Sequence, residues 1–175
     1  MKILCTRIVD KSGSRTAHSL LEDAYAALYG GAMPEIKRTP NGKPYFPARP
    51  DIHFSLSHAR THVLCAFSDS AVGADIESPR LISERAVRFF GSSEELSMFD
   101  PLDLWVLKES CIKLIGSTLM HAKSIRFKYE NDEITSSGIS SFSKLYSIDD
   151  CRAAVSSFEN NLAESIDYWN LEAQA

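Results

Sequence analysis

Two long helical patterns, each set between strands, restrict this chain to a mixed architecture. "AHSLLEDAYAALYGG" puts Leu20, Leu21, Ala24, Ala27 and Leu28 at helical spacing and stops at Gly30-Gly31. "PLDLWVLKESCIKLIG" is the more strongly patterned, with Pro101 in its first turn and Gly116 at its end. The strand pattern "MKILCTRIVD" precedes the first helix, with "KSGSRT" as a loop between them. "KRTPNGKPYFPARP", rich in Pro, Gly and basic residues, is an ordered loop. "IHFSLSH" then alternates strictly, "HVLCAFSDS" is nearly all apolar, and "AVGADIE" follows a short turn. "LISERAVRFFGSSEELSMFD" reads as one or two helical pieces broken at Gly91. Beyond the second long helix, "SIRFKYENDEITSSGISSFSKLYSIDDCRAAVSSF" reads as three strands of an antiparallel meander. The tail "NNLAESIDYWNLEAQA" is a short helix or an irregular end. The order strand–helix–strands thus occurs twice, with no repeat at the level of residues. The expected fold is α+β, with two pseudo-symmetric lobes over 1–73 and 74–175. Each lobe is an antiparallel or mixed sheet packed on a long helix.

A chain of 175 residues, 44% apolar and 24% charged, can bury a core without staples. The formal net charge of −4 gives nucleic-acid binding no electrostatic support, so an acidic ligand needs a local basic pocket. Cys5, Cys65, Cys111 and Cys151 form no CxxC pair and sit in apolar contexts. They read as free thiols of a reducing compartment. The first apolar run is too short for a signal peptide, and no stretch approaches the ~20 apolar residues of a membrane span. The expectation is a cytoplasmic protein, off the membrane.

In "VGADIESP", Asp75 and Glu77 point to one face of a strand while Ala74 and Ile76 point to the core. Paired carboxylates repel unless a cation lies between them, and oxygens without nearby His or Cys suit Mg²⁺. A solvated edge strand fits the same spacing. On the second long helix Leu104, Leu107, Cys111 and either Leu114 or Ile115 form the apolar seam. Trp105, Glu109 and Lys113 share a neighbouring face. Glu109 could complete a three-carboxylate site and Lys113 could reach a phosphate beside it; taken alone, the pattern fits a surface Glu–Lys pair better. "NGKPYF" could present Lys43 to an anion, or be a basic surface loop. Ser57 and His58 end a strand, where hydroxyl and imidazole can bond a phosphate. They cannot form a dyad, because neighbours on a strand face opposite sides. His58 and His62, four apart, lack the helix and the third ligand of a zinc site.

The order of these segments is more specific than any one of them. "GKPYFP", "HFSLSH", "CAF", "VGADIE", "RFFGSSEE" and "LWVLKESCIKLIG" together resemble the 4′-phosphopantetheinyl transferases. The closest likeness is to the single-chain, two-lobed, surfactin-synthetase-activating type. The resemblance is close over about residues 41–119 and loose elsewhere. It implies transfer of the phosphopantetheine arm of coenzyme A to a serine of an apo acyl or peptidyl carrier protein, releasing adenosine 3′,5′-bisphosphate. It implies Mg²⁺, or Mn²⁺, held by Asp75, Glu77 and Glu109. Glu109, directly or through a bound water, is then the base for the carrier serine, and Lys113 meets the phosphates and helps the leaving group. Lys108 would also face the phosphates, while Lys43, Pro44, Ser57 and His58 hold the nucleotide end. A monomer is expected. The alternative is a module of the same fold that binds coenzyme A or carrier protein without turnover.

The chain departs from that family near its first helix. Relatives carry several Lys and Arg in a longer N-terminal stretch, where this chain has Lys11 and Arg15. Relatives often place Arg then Thr on the 3′-phosphate, where this chain has His18 and Ser19. Imidazole lacks the fork of a guanidinium, so a weaker 3′-phosphate contact is expected there. Phe89, Phe90, Leu96, Met98 and Phe99 exceed one helical seam, which suggests an apolar surface for a carrier-protein helix.

Overall fold

In a computed structural model, residues 1–8 and 12–171 are described. Lys11 lies outside them. Strand β1 (Lys2–Arg7) leads to helix α1 (Gly13–Tyr29), then β2 (Lys37–Arg38), β3 (Pro44–Tyr45), β4 (His53–His58), β5 (His62–Ser68) and β6 (Val72–Glu77). Short helices α2 (Glu84–Phe90) and α3 (Ser93–Met98) precede the long α4 (Pro101–Ile115). A 3₁₀ turn at Leu119–Lys123 leads to β7 (Arg126–Glu130), β8 (Glu133–Ser137), β9 (Ser141–Ile148), β10 (Cys151–Ser157) and β11 (Asp167–Tyr168).

The strands form one sheet in the order β11-β1-β5-β4 and another in the order β6-β10-β9-β8-β7, with β2 and β3 as a small hairpin. The four layers are α1, the first sheet, the second sheet and α4. Leu20, Leu21, Ala24 and Tyr25 of α1 pack on Leu4, Phe54, Val63, Cys65 and Phe67. The opposite face of that sheet gives Ile3, Cys5, Leu64 and Ala66 to a core shared with Ala74, Ile76, Ala153 and Val155 of the second. Leu104, Leu107 and Cys111 of α4 pack on the second sheet's outer face with Phe127, Ile134 and Ala154. The architecture is the expected mixed α+β.

Several elements differ from expectation for local reasons. Helix α1 starts at Gly13, because Ser12 accepts a hydrogen bond from the Arg15 N–H and caps it. The meander has four strands, since Asn131 and Asp132 both adopt positive φ and make a tight turn inside "YENDEI". The tail forms a strand: β11 pairs parallel to β1, and the Trp169 N–H reaches the Cys5 carbonyl at 2.7 Å. The four cysteines are free and buried. No helix among the described residues is long and apolar enough to cross a membrane.

The edge strands β4 and β6 of the two sheets lie side by side without joining. Ser55 Oγ accepts the Ala74 N–H at 2.9 Å across the seam. Helix α4 crosses β6 closely. A Cβ on Gly73 would stand 2.0 Å from the Ser110 carbonyl oxygen and 2.3 Å from the Leu114 nitrogen. That glycine lets the helix backbone rest on the strand.

Candidate active site

The close crossing sets the Glu109 face of α4 against Asp75 and Glu77. Asp75 is 5% exposed. Its Oδ1 accepts from the Lys113 ammonium at 2.7 Å and from the Ser57 hydroxyl at 2.8 Å. Lys113 also donates to Ser57 Oγ at 2.9 Å, which closes a triangle. Among the described residues Asp75 Oδ2 is buried with no hydrogen-bond partner, a costly state for a carboxylate oxygen. Glu77 Oε1 accepts from Arg80 at 2.8 Å and from the Trp105 indole N–H at 3.0 Å. Burial, with the charges of Asp75 and Glu77, raises the Glu109 carboxyl above the usual range, against Lys113 and Arg80. Like charges have been gathered here in a low-dielectric place.

A cleft of about 400 Å³ opens beside the triangle. It is walled by the first turns of α1, the end of β4, the β2–β3 hairpin and the C-terminal end of α4. His18, Lys43, Pro44, Ser57, His58 and Lys113 all line it. Lys43 Nζ donates to the carbonyls of Leu114 at 2.6 Å and Val72 at 3.2 Å, so it caps α4 and ties it to β6. Burial pushes its pKa down to about 8. The Asn41 amide bonds the Gly116 carbonyl at 3.0 Å and fastens the hairpin to the same helix end.

No family model matches the chain. Over 124 residues it is 35% identical to 4′-phosphopantetheinyl transferase Sfp of Bacillus subtilis, covering 62% of this chain and 55% of that one. A second Bacillus subtilis 4′-phosphopantetheinyl transferase is 39% identical over 101 residues, half of this chain and 45% of the other. The 4′-phosphopantetheinyl transferase gsp of Aneurinibacillus migulanus is 33% identical over 123 residues, 55% of this chain and 50% of its own length. These relatives, and a fourth match, are all named 4′-phosphopantetheinyl transferases. The chain spans about half the length of the curated relatives it matches.

Against the expectations for a 4′-phosphopantetheinyl transferase, several residues stand elsewhere. Lys108 is fully buried away from the cleft. Its ammonium donates to Glu95 Oε1 at 2.5 Å and to the Ile125 carbonyl, and burial lowers its pKa. Burial raises the Glu95 carboxyl, but Lys108 and the N–H groups of Phe127 and Ser92 outweigh that and hold it low. The pair arises because α4 is covered on two sides, so position 108 turns inward beside the seam. Arg15 and Ser19 lie on exposed positions of α1 outside the cleft lining. Phe90 and Phe99 are core residues; of the suggested apolar surface, Leu96 and Met98 are exposed.

Asp75, Glu77 and Glu109 do not converge as the side chains stand. Among the described residues no three His, Cys, Asp or Glu groups are placed to hold a metal. Glu77 is held by Arg80 and Trp105, and Asp75 spends one oxygen on Lys113. Sequence reasoning missed Arg38 and Asn41 in the cleft wall. Their only signal was the basic, turn-rich composition of "KRTPNGKPYF".

Proposed function

We propose that this chain transfers the 4′-phosphopantetheine arm of coenzyme A to a serine of an apo acyl or peptidyl carrier protein, releasing adenosine 3′,5′-bisphosphate. The observation that carries the reading is the Asp75–Ser57–Lys113 triangle with its orphaned carboxylate oxygen, set beside Glu109 at a cleft with basic walls. One P–O bond forms to the serine oxygen and one breaks to the bisphosphate, so positioning and charge neutralisation dominate. Glu109, with its raised pKa, accepts the serine proton. Lys113 shifts from Asp75 toward the departing phosphate oxygen and donates to it. His58, Ser57 and Pro44 bear on the nucleotide half, while Lys43 fixes the helix end beneath it.

The donor set fits Mg²⁺ or Mn²⁺ in chemistry: hard carboxylate oxygens, one of them without a partner, and a glutamate whose charge is opposed by its neighbours. Asp75, Glu109 and a Glu77 released from Arg80 would hold the ion. Bound there, it would offset the charge of the pyrophosphate and of the leaving bisphosphate. Two lobes, 1–73 and 74–175, are part of this reading. Their support is the recurrence of a sheet with one long helix on its outer face, although β11 returns to the first sheet. A cytoplasmic location, supported by the free thiols, and a monomeric state complete it.

The test is to incubate the chain with Mg²⁺, coenzyme A and a panel of apo carrier proteins and to weigh the carriers. A gain of one phosphopantetheine is expected. Coenzyme A bound with no carrier modified would replace this reading with a non-catalytic binding module.

A further inference from the structure

The basic groups of the cleft are not equally available. Lys43 gives its ammonium to the carbonyls of Val72 and Leu114, and Lys113 gives its own to Asp75 and Ser57. His18 and His58 offer imidazoles, without a fork. Arg38 differs. It lies on β2, lines the same cleft and is exposed. Its NH1 donates to the Gly42 carbonyl at 2.8 Å, which holds the guanidinium against the hairpin turn. Among the described residues no carboxylate pairs with it, whereas nearby Lys37 has Glu35 at 3.8 Å and Arg49 is forked on Asp51. Four of its five N–H donors remain uncommitted by that single bond. The hairpin is fastened to the end of α4 by Asn41 and Lys43, so Arg38 is carried at a fixed place relative to Lys113.

We propose that Arg38 reads the 3′-phosphate of coenzyme A, supplying the guanidinium that position 18 lacks. This rests on the transferase reading above. That reading commits Lys113 and the carboxylates to the pyrophosphate end. A second phosphate, a dianionic monoester with three acceptor oxygens, must then meet its cation elsewhere in the cleft. Arg38 is the uncompensated group there, a planar guanidinium shaped for bidentate bonding.

Calorimetric titration with coenzyme A and with 3′-dephospho-coenzyme A separates the possibilities. The wild type should prefer coenzyme A by about ten- to a hundredfold, the range of a charge-assisted hydrogen bond. Arg38→Ala should erase the preference and leave 3′-dephospho-coenzyme A binding unchanged. Arg38→Lys should keep part of it, and His18→Arg added to Arg38→Ala should restore it. A preference that survives Arg38→Ala overturns the assignment while leaving the transferase reading intact. So does a wild type that binds both ligands equally. A wild type that binds neither overturns the transferase reading itself.

Discussion

Gly73→Ala tests how the site is built, because one methyl group would stand between the strand and the helix that carry it. The added Cβ would lie 2.0 Å from the Ser110 oxygen, 2.3 Å from the Leu114 nitrogen and 2.9 Å from the Leu114 Cα. All three are backbone atoms in the middle or last turn of α4, so no side chain can swing aside. The helix must retreat by about 1 Å or more to reach ordinary contact, an overpacking strain of about 1–3 kcal/mol. The retreat moves Lys113 away from Asp75, now 2.7 Å apart, and moves Glu109 with it. A displacement of that size costs about a hundredfold in rate when reacting groups must be aligned. Urea denaturation should show a lower midpoint with an unchanged slope, and the carrier-mass assay a rate down by about two orders. Near-wild-type stability together with near-wild-type transfer would refute the claim that the helix–strand approach sets the catalytic geometry.

Glu109→Gln should cut transfer by about 10²–10⁴-fold, the usual share of a general base, while the thermal midpoint holds or rises as a crowded negative charge disappears; stopped-quench assays and a melt read both. Lys43, with a folded pKa of about 8 against an ordinary 10.5, binds fewer protons folded than unfolded between those values. Its contribution makes stability rise with pH from about 8 to 10.5. Denaturant midpoints across that range should climb more steeply in the wild type than in Lys43→Met. Lys108→Met leaves the Glu95 carboxylate buried without its ammonium, and should cost about 3–5 kcal/mol by chemical denaturation.

Much of the site was legible because strand and helix periods are strict. Alternation placed Asp75 and Glu77 opposite Ala74 and Ile76, and four-residue spacing placed Trp105, Glu109 and Lys113 together. The Trp105–Glu77 hydrogen bond is the physical link between the two patterns. Pro101 and Gly116 bound α4 as their backbone chemistry requires; Gly116 takes a φ of 61°. What could not be read depended on cover from elsewhere in the chain. The resemblance put Lys108 at the phosphates, but α2, α3 and the 3₁₀ turn close over a second side of the helix and bury it. Ser55 is a polar position of the alternating "IHFSLSH", yet it is buried where β6 comes alongside. Strand β11 has two residues and exists only by pairing with β1, so its local pattern carried no signal. Arg38 was one basic residue among several in a loop, and only the hairpin's attachment to α4 singles it out.

The side-by-side placement of β4 and β6 has a consequence for how the molecule behaves in a crowd. An open sheet edge offers unpaired amides to any neighbouring chain, a standing invitation to intermolecular pairing. Here β4 and β6 are edges of separate sheets and shelter each other, with Ser55 answering an amide that would otherwise be open. The far edges are guarded differently: β11 is short, and β7 carries Arg126, Lys128 and Glu130. Any fluctuation that parts the seam therefore bares two templates for aggregation at once. The same fluctuation pulls apart Ser57, Asp75 and Lys113, so a chain that loses the alignment of that triangle becomes prone to self-association in the same motion.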